Sequence, residues 1–600
     1  KPLIKHSLDY IIQDKLEEGR KVEGDERTKK RAQCEALLTI TVCDVACGSG
    51  HILLSAARRI GMQLAIIQES IDSKTEVEQP SPPYLRAAIR EVIRNCIYGV
   101  DLNPLAVELC KVALWLEAHN PNEPLNFLDH HIKNGNAIVG LAHFEELENG
   151  IATEAFKSLP GDDKELAATL RKKNEAERKS KGQLGTYDLS KVDDSLKGIR
   201  KEFADFTALP EKSPEEIATK AAAYQKLTNG AKWWRLKNLA DLQVAQFFIP
   251  KTLENKEVLT TDKQYRTYLN SGSQILDRGT SLAKAEEKRF FHWFIEFPAV
   301  SGRGGFDCVL GNPPFLGGQK LTGIFGYPFT QFIQYEYSPI KSVDLVTNFF
   351  RRIFQLIKVG GFQSLISTNS ITQGQTRIGG LANILGNNGT INHAVRSMSW
   401  PGLAAVEVAL VSIYKGRWKG NYILDNQRVE QITSYLDDSI QLNDPQKLNS
   451  NLGQSFQGSI VLGKGFLLES EQVNNLVNQK IENKDVIFPY LNGDDLNNQI
   501  DQRPSRWVIN FKNYPLKRFK INEWKNLPEK KRNSIIQDID KSRTVVAAPP
   551  NFDKPVATDY PDCLQIVVDK VKSERERKKG DRGAKYWWQF LRTREELYST

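Results

Sequence analysis

The chain has 600 residues, 82 Lys and Arg against 73 Asp and Glu, and a net charge of +9, with 40% hydrophobic residues. That length is too great for one core and implies roughly three or four domains, while the composition is that of a globular protein and not of a disordered one. No apolar run nears the about 18 residues of a membrane span, the start KPLIKHSLDYII is too polar for a secretory leader, and the seven scattered cysteines form no CxxC pair, so we expect a cytoplasmic chain with reduced thiols, no membrane contact and no metal site.

Residues 1–30 open with an amphipathic helix-like stretch, LIKHSLDYIIQDKL, and a polar run. Residues 42–50 read VCDVACGSG, an apolar strand entering a glycine turn before a helix-like HILLSAARRI. Gly48 and Gly50 permit a tight turn and close backbone approach to a ligand. Asp44 falls at the strand end, where open α/β sheets bind ligands, and Ala46 lies in the turn. A second apolar strand, Ile97–Val100, ends at Asp101 and Leu102, and an acid there can hydrogen-bond both hydroxyls of a ribose. The same features suit a dinucleotide site. However, that fingerprint wants a third glycine, which is absent here, and an acid about 20 residues on, which arrives much later, a delay that an insertion around residues 68–84 would explain. Asn136, in a Gly135-Asn136-Ala137 stretch, reads from the residues alone as a turn Asn.

Residues 141–290 are rich in Ala, Glu, Lys and Leu and predict a helical insertion. Strand–helix alternation returns over 291–420. Within it, FDCVLGNPPF (306–315) carries the most information. A buried strand runs into Asn312-Pro313-Pro314-Phe315. The prolines stop the strand and stiffen the turn. They leave fixed acceptors beside an aromatic ring, which suits a planar base with an exocyclic amino group. Alone, the stretch also suits an ordinary proline-stiffened turn. Asp307 reads as a strand-end or turn residue. Arg377 and Gln373 fall in a polar loop where DNA contact or simple solvation is expected, and Trp400 is either a pocket wall or core.

Residues 421–485 are Asn- and Gln-rich and read as a linker or docking segment. From 486 a mixed α/β region begins. Residues 501–600 hold 23 Lys and Arg against 14 Asp and Glu, an excess equal to the charge of the whole chain. Aromatics including Trp587 are interleaved with basic runs containing Lys578 and Lys579, a pattern that suits phosphate contact with base or sugar packing. A solvated helix with i,i+4 ion pairs is the alternative. Pro561-Asp562 with Asp569-Lys570 fails the spacing of a nuclease metal site, so we assign no cleavage to these residues.

Together the glycine turn, Asp101 and Asn312–Phe315 resemble the S-adenosylmethionine-dependent DNA amino-methyltransferases. The order of the motifs is that of the gamma-class adenine N6-methyltransferases. In closer detail the chain resembles the large methyltransferases of type IIG restriction–modification and related phage-defence (BREX- or DISARM-like) systems. Supporting stretches are FLDHHIKNGNAIVG (127–140), FHWFIEFP (291–298), STNSITQGQTR (367–377) and WPGLAAVEVALVSIYKG (400–416). The resemblance implies a doubly wound Rossmann-like sheet split by the helical insertion. Residues 1–140 would hold the cofactor half, 291–420 the catalytic half, and 486–600 a basic target-recognition region. It implies S-adenosylmethionine as cofactor, held by Asp44, Ala46, Gly48, Gly50, Asp101, Leu102 and Asn136, with Asp129 competing with Asn136 for the place near the cofactor adenine. Duplex DNA is the implied partner, with other defence proteins also possible partners in a nucleoid-associated role. It assigns Asn312 and the Pro313 carbonyl to the amino group of a flipped adenine, with Pro314 shaping the turn and Phe315 stacking on the base. Arg377, Trp400, Lys578, Lys579 and Trp587 are candidate DNA contacts. A Tyr-Thr-Pro-like segment precedes the first helix in that family, so we expect it to lie before Lys1, and the C-terminal end also reads as truncated. Two other readings stand. One is a methyltransferase acting on an RNA base or a protein glutamine. The other is a cofactor-binding DNA scaffold of a defence complex.

Overall fold

The structure is a computed structural model describing residues 2–591 and 594, apart from 121–122, 181–189, 272–278, 340–342, 401–406, 440–447, 452, 455, 457, 462, 542 and 578–581. The chain divides into two compact units, Lys1–Leu442 and Asn443–Thr600.

The first unit is built on a nine-stranded sheet. Its strands are β1 (Val42–Asp44), β2 (Ile97–Asp101), β3 (Ile132–Asn134), β4 (Phe306–Gly311), β5 (Ile357–Thr368), β6 (Gly389–Ser399), β7 (Glu407–Lys415), β8 (Tyr422–Leu424) and β9 (Gln427–Val429). Their order is β3-β2-β1-β4-β5-β7-β6-β8-β9. The first five are parallel to one another, and β7 runs antiparallel between β5 and β6. The winding reverses between β1 and β4. In an open parallel sheet that reversal leaves a crevice beyond the C-terminal strand ends. The sheet is thus a doubly wound, Rossmann-like one.

The central strands are short apolar runs because both their faces are covered. Successive side chains point to opposite faces. Accordingly Val42, Cys308 and Leu310 join one core, while Cys43, Val45 and Val309 join the other. The first core is closed by the helices Leu8–Arg20, Glu26–Leu38, His51–Ser73 and Pro82–Cys96. The second core runs directly into the inserted helices, through Trp233, Leu236, Phe247 and Phe248.

Those inserted helices are Lys164–Lys179, Ser190–Thr207, Pro214–Thr228, Ala231–Ala245, Asp262–Ser271 and Gly279–Lys288. The two ends of the excursion meet. Phe291 N donates to Val139 O at 2.9 Å, Trp293 N to Leu141 O at 2.9 Å, and Asn136 N to Arg289 O at 2.7 Å. Gly140 makes this approach possible. At φ +143°, a Cβ there would lie 2.1 Å from Phe291 O.

The second unit has a three-stranded sheet of order β10-β12-β11, with β10 (Leu467–Leu468), β11 (Ile487–Tyr490) and β12 (Arg506–Ile509). A parallel pair, β13 (Lys517–Arg518) and β14 (Ala547–Ala548), lies in the same unit. Residues 421–485, read from composition as one linker or docking segment, divide between the units. Tyr422–Val429 extend the large sheet, whereas Phe466, Leu468, Val473 and Leu476 enter the core of the second unit. The polar composition hid a few apolar residues whose spacing is enough to bury them.

Trp588 anchors that second core. Its side chain is fully buried and its Nε1 donates to Tyr514 O at 2.9 Å. We expect Trp588→Ala to cost about 3–5 kcal/mol through the cavity it leaves. Amide hydrogen exchange in β11 and β12 measures the loss, and unchanged protection there would refute it.

Candidate active site

Three strand ends converge at the crevice. The first is the end of β1, where the chain turns through Val45–Gly50 into the helix His51–Ser73. Gly48 and Gly50 take φ +51° and +83°, which a side chain would strain. A Cβ on Gly50 would meet Cys110 Sγ at 2.8 Å, whereas a Cβ on Gly48 would meet nothing within 4 Å. Gly48 therefore faces open space. Its N–H donates to Asp101 Oδ2 at 2.9 Å, which ties the turn to the end of β2. The other carboxylate oxygen, Oδ1, accepts from Asn103 N at 2.8 Å. Each oxygen keeps a second lone pair for another donor. Asn134, at the end of β3, donates from Nδ2 to the carbonyls of Asp101 and Leu102 at 2.9 and 3.0 Å, fixing the turn after β2.

Asp44 is 2% exposed, and its Oδ1 accepts from Ala46 N at 3.0 Å. Burial pushes its carboxyl up to about 7, against the pull of the Ala46 hydrogen bond and with a push from the Asp101 charge. Next to it the end of β4 is Gly311, where a Cβ would lie 3.1 Å from Asp44 Oδ1. Glycine at that place lets the catalytic-candidate turn pass close over the acid.

The chain then enters Asn312-Pro313-Pro314-Phe315. Asn312 Oδ1 is buried and has no hydrogen-bond partner. A buried acceptor without a donor is costly, so a donor supplied by a ligand is the natural complement. Asn312 opens onto a cavity of about 710 Å³ whose lining also includes Ala46, Asp101, Leu102, Asn136, Pro314 and Phe315. One chamber therefore joins the ends of β1, β2 and β4. Its far wall is aromatic, formed by Phe325, Phe329 and Phe349. Sequence reasoning missed that wall, because Phe325 and Phe329 fall in the helix Leu321–Glu336 and Phe349 in the helix Leu345–Leu356. The aromatic-rich LTGIFGYPF (321–329), shortly after the Asn312–Phe315 turn, was the available signal.

The remaining expected residues fall elsewhere. Asp129 is exposed and pairs with Lys111 at 2.6 Å, outside the cavity. Asp307 is structural: its Oδ2 accepts from Thr41 N and Oγ1, both at 2.8 Å. Trp400 is half-buried and does not line the cavity. Arg377, expected in a polar loop either touching DNA or simply solvated, is instead 5% exposed. Its Nη1 donates to Ser434 Oγ at 2.7 Å and its guanidinium lies 3.9 Å from the centre of the Tyr435 ring. Cation–π contact and a hydrogen bond hold it inward. Trp587, expected to pack against nucleic acid, is 7% exposed inside the core of the second unit. Its large apolar ring is better satisfied by that core than by solvent. Lys578 and Lys579 lie outside the described residues. Among the described residues no cluster of three or more metal-ligating side chains occurs, and no helix is long and apolar enough to cross a membrane.

Comparison with known proteins bears on the same region. The model of the Eco57I restriction-modification methylase family matches residues 95–397, about half of the chain. The chain belongs to this family. The match runs from just before β2, through the inserted helices and β4, to near the end of β6. A protein of Methanocaldococcus jannaschii described as a type II restriction enzyme and methyltransferase is 23% identical over 301 residues, 48% of this chain and 23% of that protein. Among solved structures, the type IIL restriction–modification enzyme MmeI in complex with DNA is similar at 14% identity, with a TM-score of 0.48 over 99% of this chain and 56% of that one. A class I S-adenosylmethionine-dependent methyltransferase from Listeria monocytogenes is similar at 13% identity, with a TM-score of 0.16 over 44% of this chain and 89% of that one. The chain thus spans less than a quarter of the curated relative's length.

The position of Asp44 predicts a pH signature. Its carboxyl holds a proton in the folded state that it sheds near its ordinary value in the unfolded chain, so stability falls as pH rises from about 4 to about 7. Asp44→Asn keeps the acceptor for Ala46 N without the charge. It should melt with the wild type near pH 4 and above it at pH 8, by scanning calorimetry. Parallel melting at both values would contradict the assignment.

Proposed function

We propose that the protein is a site-specific DNA methyltransferase that moves a methyl group from S-adenosylmethionine to the N6 amino nitrogen of an adenine flipped out of duplex DNA. The observation that carries this reading is Asn312, whose buried Oδ1 has no hydrogen-bond partner, lining one chamber together with Asp101 and with Val45 and Ala46 of the glycine turn. The family membership supports the methyl-transfer class. We place its work in marking host DNA within a restriction–modification or phage-defence system, in the cytoplasm, at the nucleoid.

The residues present fit the cofactor. Gly48 leaves open space beside the turn, the Asp101 oxygens retain accepting capacity toward ribose hydroxyls, and Leu102 and Asn136 line the same chamber. When bound, the cofactor supplies an electrophilic methyl group. The protein's own task is to prepare the amino nitrogen, a poor nucleophile because its lone pair is delocalised into the purine ring. Asn312 Oδ1 and the Pro313 carbonyl would each accept one amino hydrogen. Two acceptors out of the ring plane favour a tetrahedral nitrogen whose lone pair is localised. Phe315, 36% exposed at the turn, offers a face for the base to stack on. Positioning and fixed dipoles therefore carry the step, and the base must leave the helix to reach them. The basic 501–600 region supplies phosphate contacts.

Single-molecule sequencing of DNA from cells expressing wild type or Asn312→Ala tests this. Modified adenine in one short motif, found only with wild type, is the expected result, with transfer lowered by about a hundredfold or more in the variant. No modified adenine with either protein would favour an RNA, protein or scaffold role. By calorimetry, Asn312→Ala should bind cofactor like wild type. Asp101→Ala should bind it about ten- to a hundredfold more weakly, having lost charge-assisted hydrogen bonds. Equal affinity of Asp101→Ala and wild type would remove Asp101 from the cofactor site.

A further inference from the structure

We propose that the apex of the bent helix Leu321–Glu336 is a wedge that enters the base stack of duplex DNA as the target nucleotide leaves it. The inference rests on the DNA reading above and adds the residues that open the duplex.

The helix is sharply bent. Gly326 has φ 85° and ψ 168°, outside the helical region, and Pro328 follows it. The bend brings Thr322 Oγ1 to 3.1 Å from Thr330 Oγ1, eight residues on. A straight helix would separate them by about 12 Å along its axis. On the inner side of the bend, Phe325 and Phe329 line the cavity with ring centres 4.6 Å apart. At its apex, Ile324 and Tyr327 are 60% and 52% exposed. Two large apolar side chains thus stand in solvent beside a chamber that would receive a base.

Charge and size select the occupant. No Asp or Glu occurs from Cys308 to Tyr335, and Lys320 within that stretch is exposed. A phosphate backbone therefore meets no repulsion from this segment. Two side chains are too little for a protein partner, which needs about 800 Å² on each side. They match the gap left by one displaced nucleotide. Flipping removes stacking from both neighbouring base pairs, and apolar wedges inserted at base steps are an established way to hold a duplex open. Gly323, where a Cβ would meet nothing within 4 Å, and Gly326 leave the apex room to adjust.

The test compares the Ile324→Ala/Tyr327→Ala double variant with wild type on two duplexes bearing the motif found by sequencing. In one the target adenine is paired, and in the other it faces an abasic site. We expect transfer to the paired duplex to fall about tenfold or more, and transfer to the abasic duplex to stay within about threefold of wild type. Ile324→Leu/Tyr327→Phe should restore the paired reaction, and 2-aminopurine at the target should brighten with wild type and not with the double alanine variant. Equal losses on both duplexes would mark the apex as part of the pocket wall and overturn the wedge, as would no loss on either. Failure of cofactor-binding wild type to methylate either duplex would overturn the DNA reading beneath it.

Discussion

The parallel pairing of β1 with β4 is the constraint on which the rest depends. Val42 lies beside Cys308 and Cys43 beside Val309, although more than 260 residues separate them. Asp307 pins the pair, accepting from Thr41 N and Oγ1 while its own N–H donates to Thr41 Oγ1 at 3.0 Å. Charge-assisted bonds in a buried place hold register well. Because the strands are parallel, both turns emerge at the same sheet edge. Because the winding reverses there, no crossover helix covers the gap. The glycine turn and the Asn312 turn can therefore share one chamber.

That arrangement explains why the inserted helices form no separate lobe. The sheet face carrying Cys43, Val45 and Val309 needs an apolar cover, and the insertion provides it through one continuous core. Lys133, nearly buried on β3, reaches across to Glu296 at 2.7 Å, so charge as well as apolar packing ties the two halves of the sheet. The chain's excursion is long, yet the segments at its two ends, around Val139–Leu141 and Phe291–Trp293, are hydrogen-bonded to each other.

Much of the candidate site was legible in the sequence because backbone constraints wrote it. Gly48 and Gly50 are needed for their positive φ, and the paired prolines for a turn that ends a strand. Such requirements leave few alternatives at those positions. The acid at the end of β2 was legible for the same reason, as a charge at an apolar strand terminus. Side chains chosen by packing were less readable. Phe325, Phe329 and Phe349 reach the chamber only because a glycine bends one helix and a second helix packs behind it. Arg377 and Trp587 looked available to nucleic acid because an arginine in a polar loop and a tryptophan in a basic stretch carry no local sign of their partners. The Ser434–Tyr435 pair that holds Arg377 comes from more than fifty residues away. Composition misled in the same way over 421–485, where a handful of apolar residues outweighed the polar majority.

The meeting of the insertion's two ends also bears on synthesis. β1 leaves the ribosome about 13 to 50 s before β4 follows, at ordinary translation rates. Through that interval one edge of β1 has no partner strand. Joining distant segments carries a closure entropy that grows with the loop between them. Once Val139 has paired with Phe291 and Leu141 with Trp293, the excursion no longer counts toward that loop, and β4 is delivered by a tether a few tens of residues shorter than half its contour. The insertion then acts as an internal splint for the growing chain, shortening a very long-range pairing by more than half.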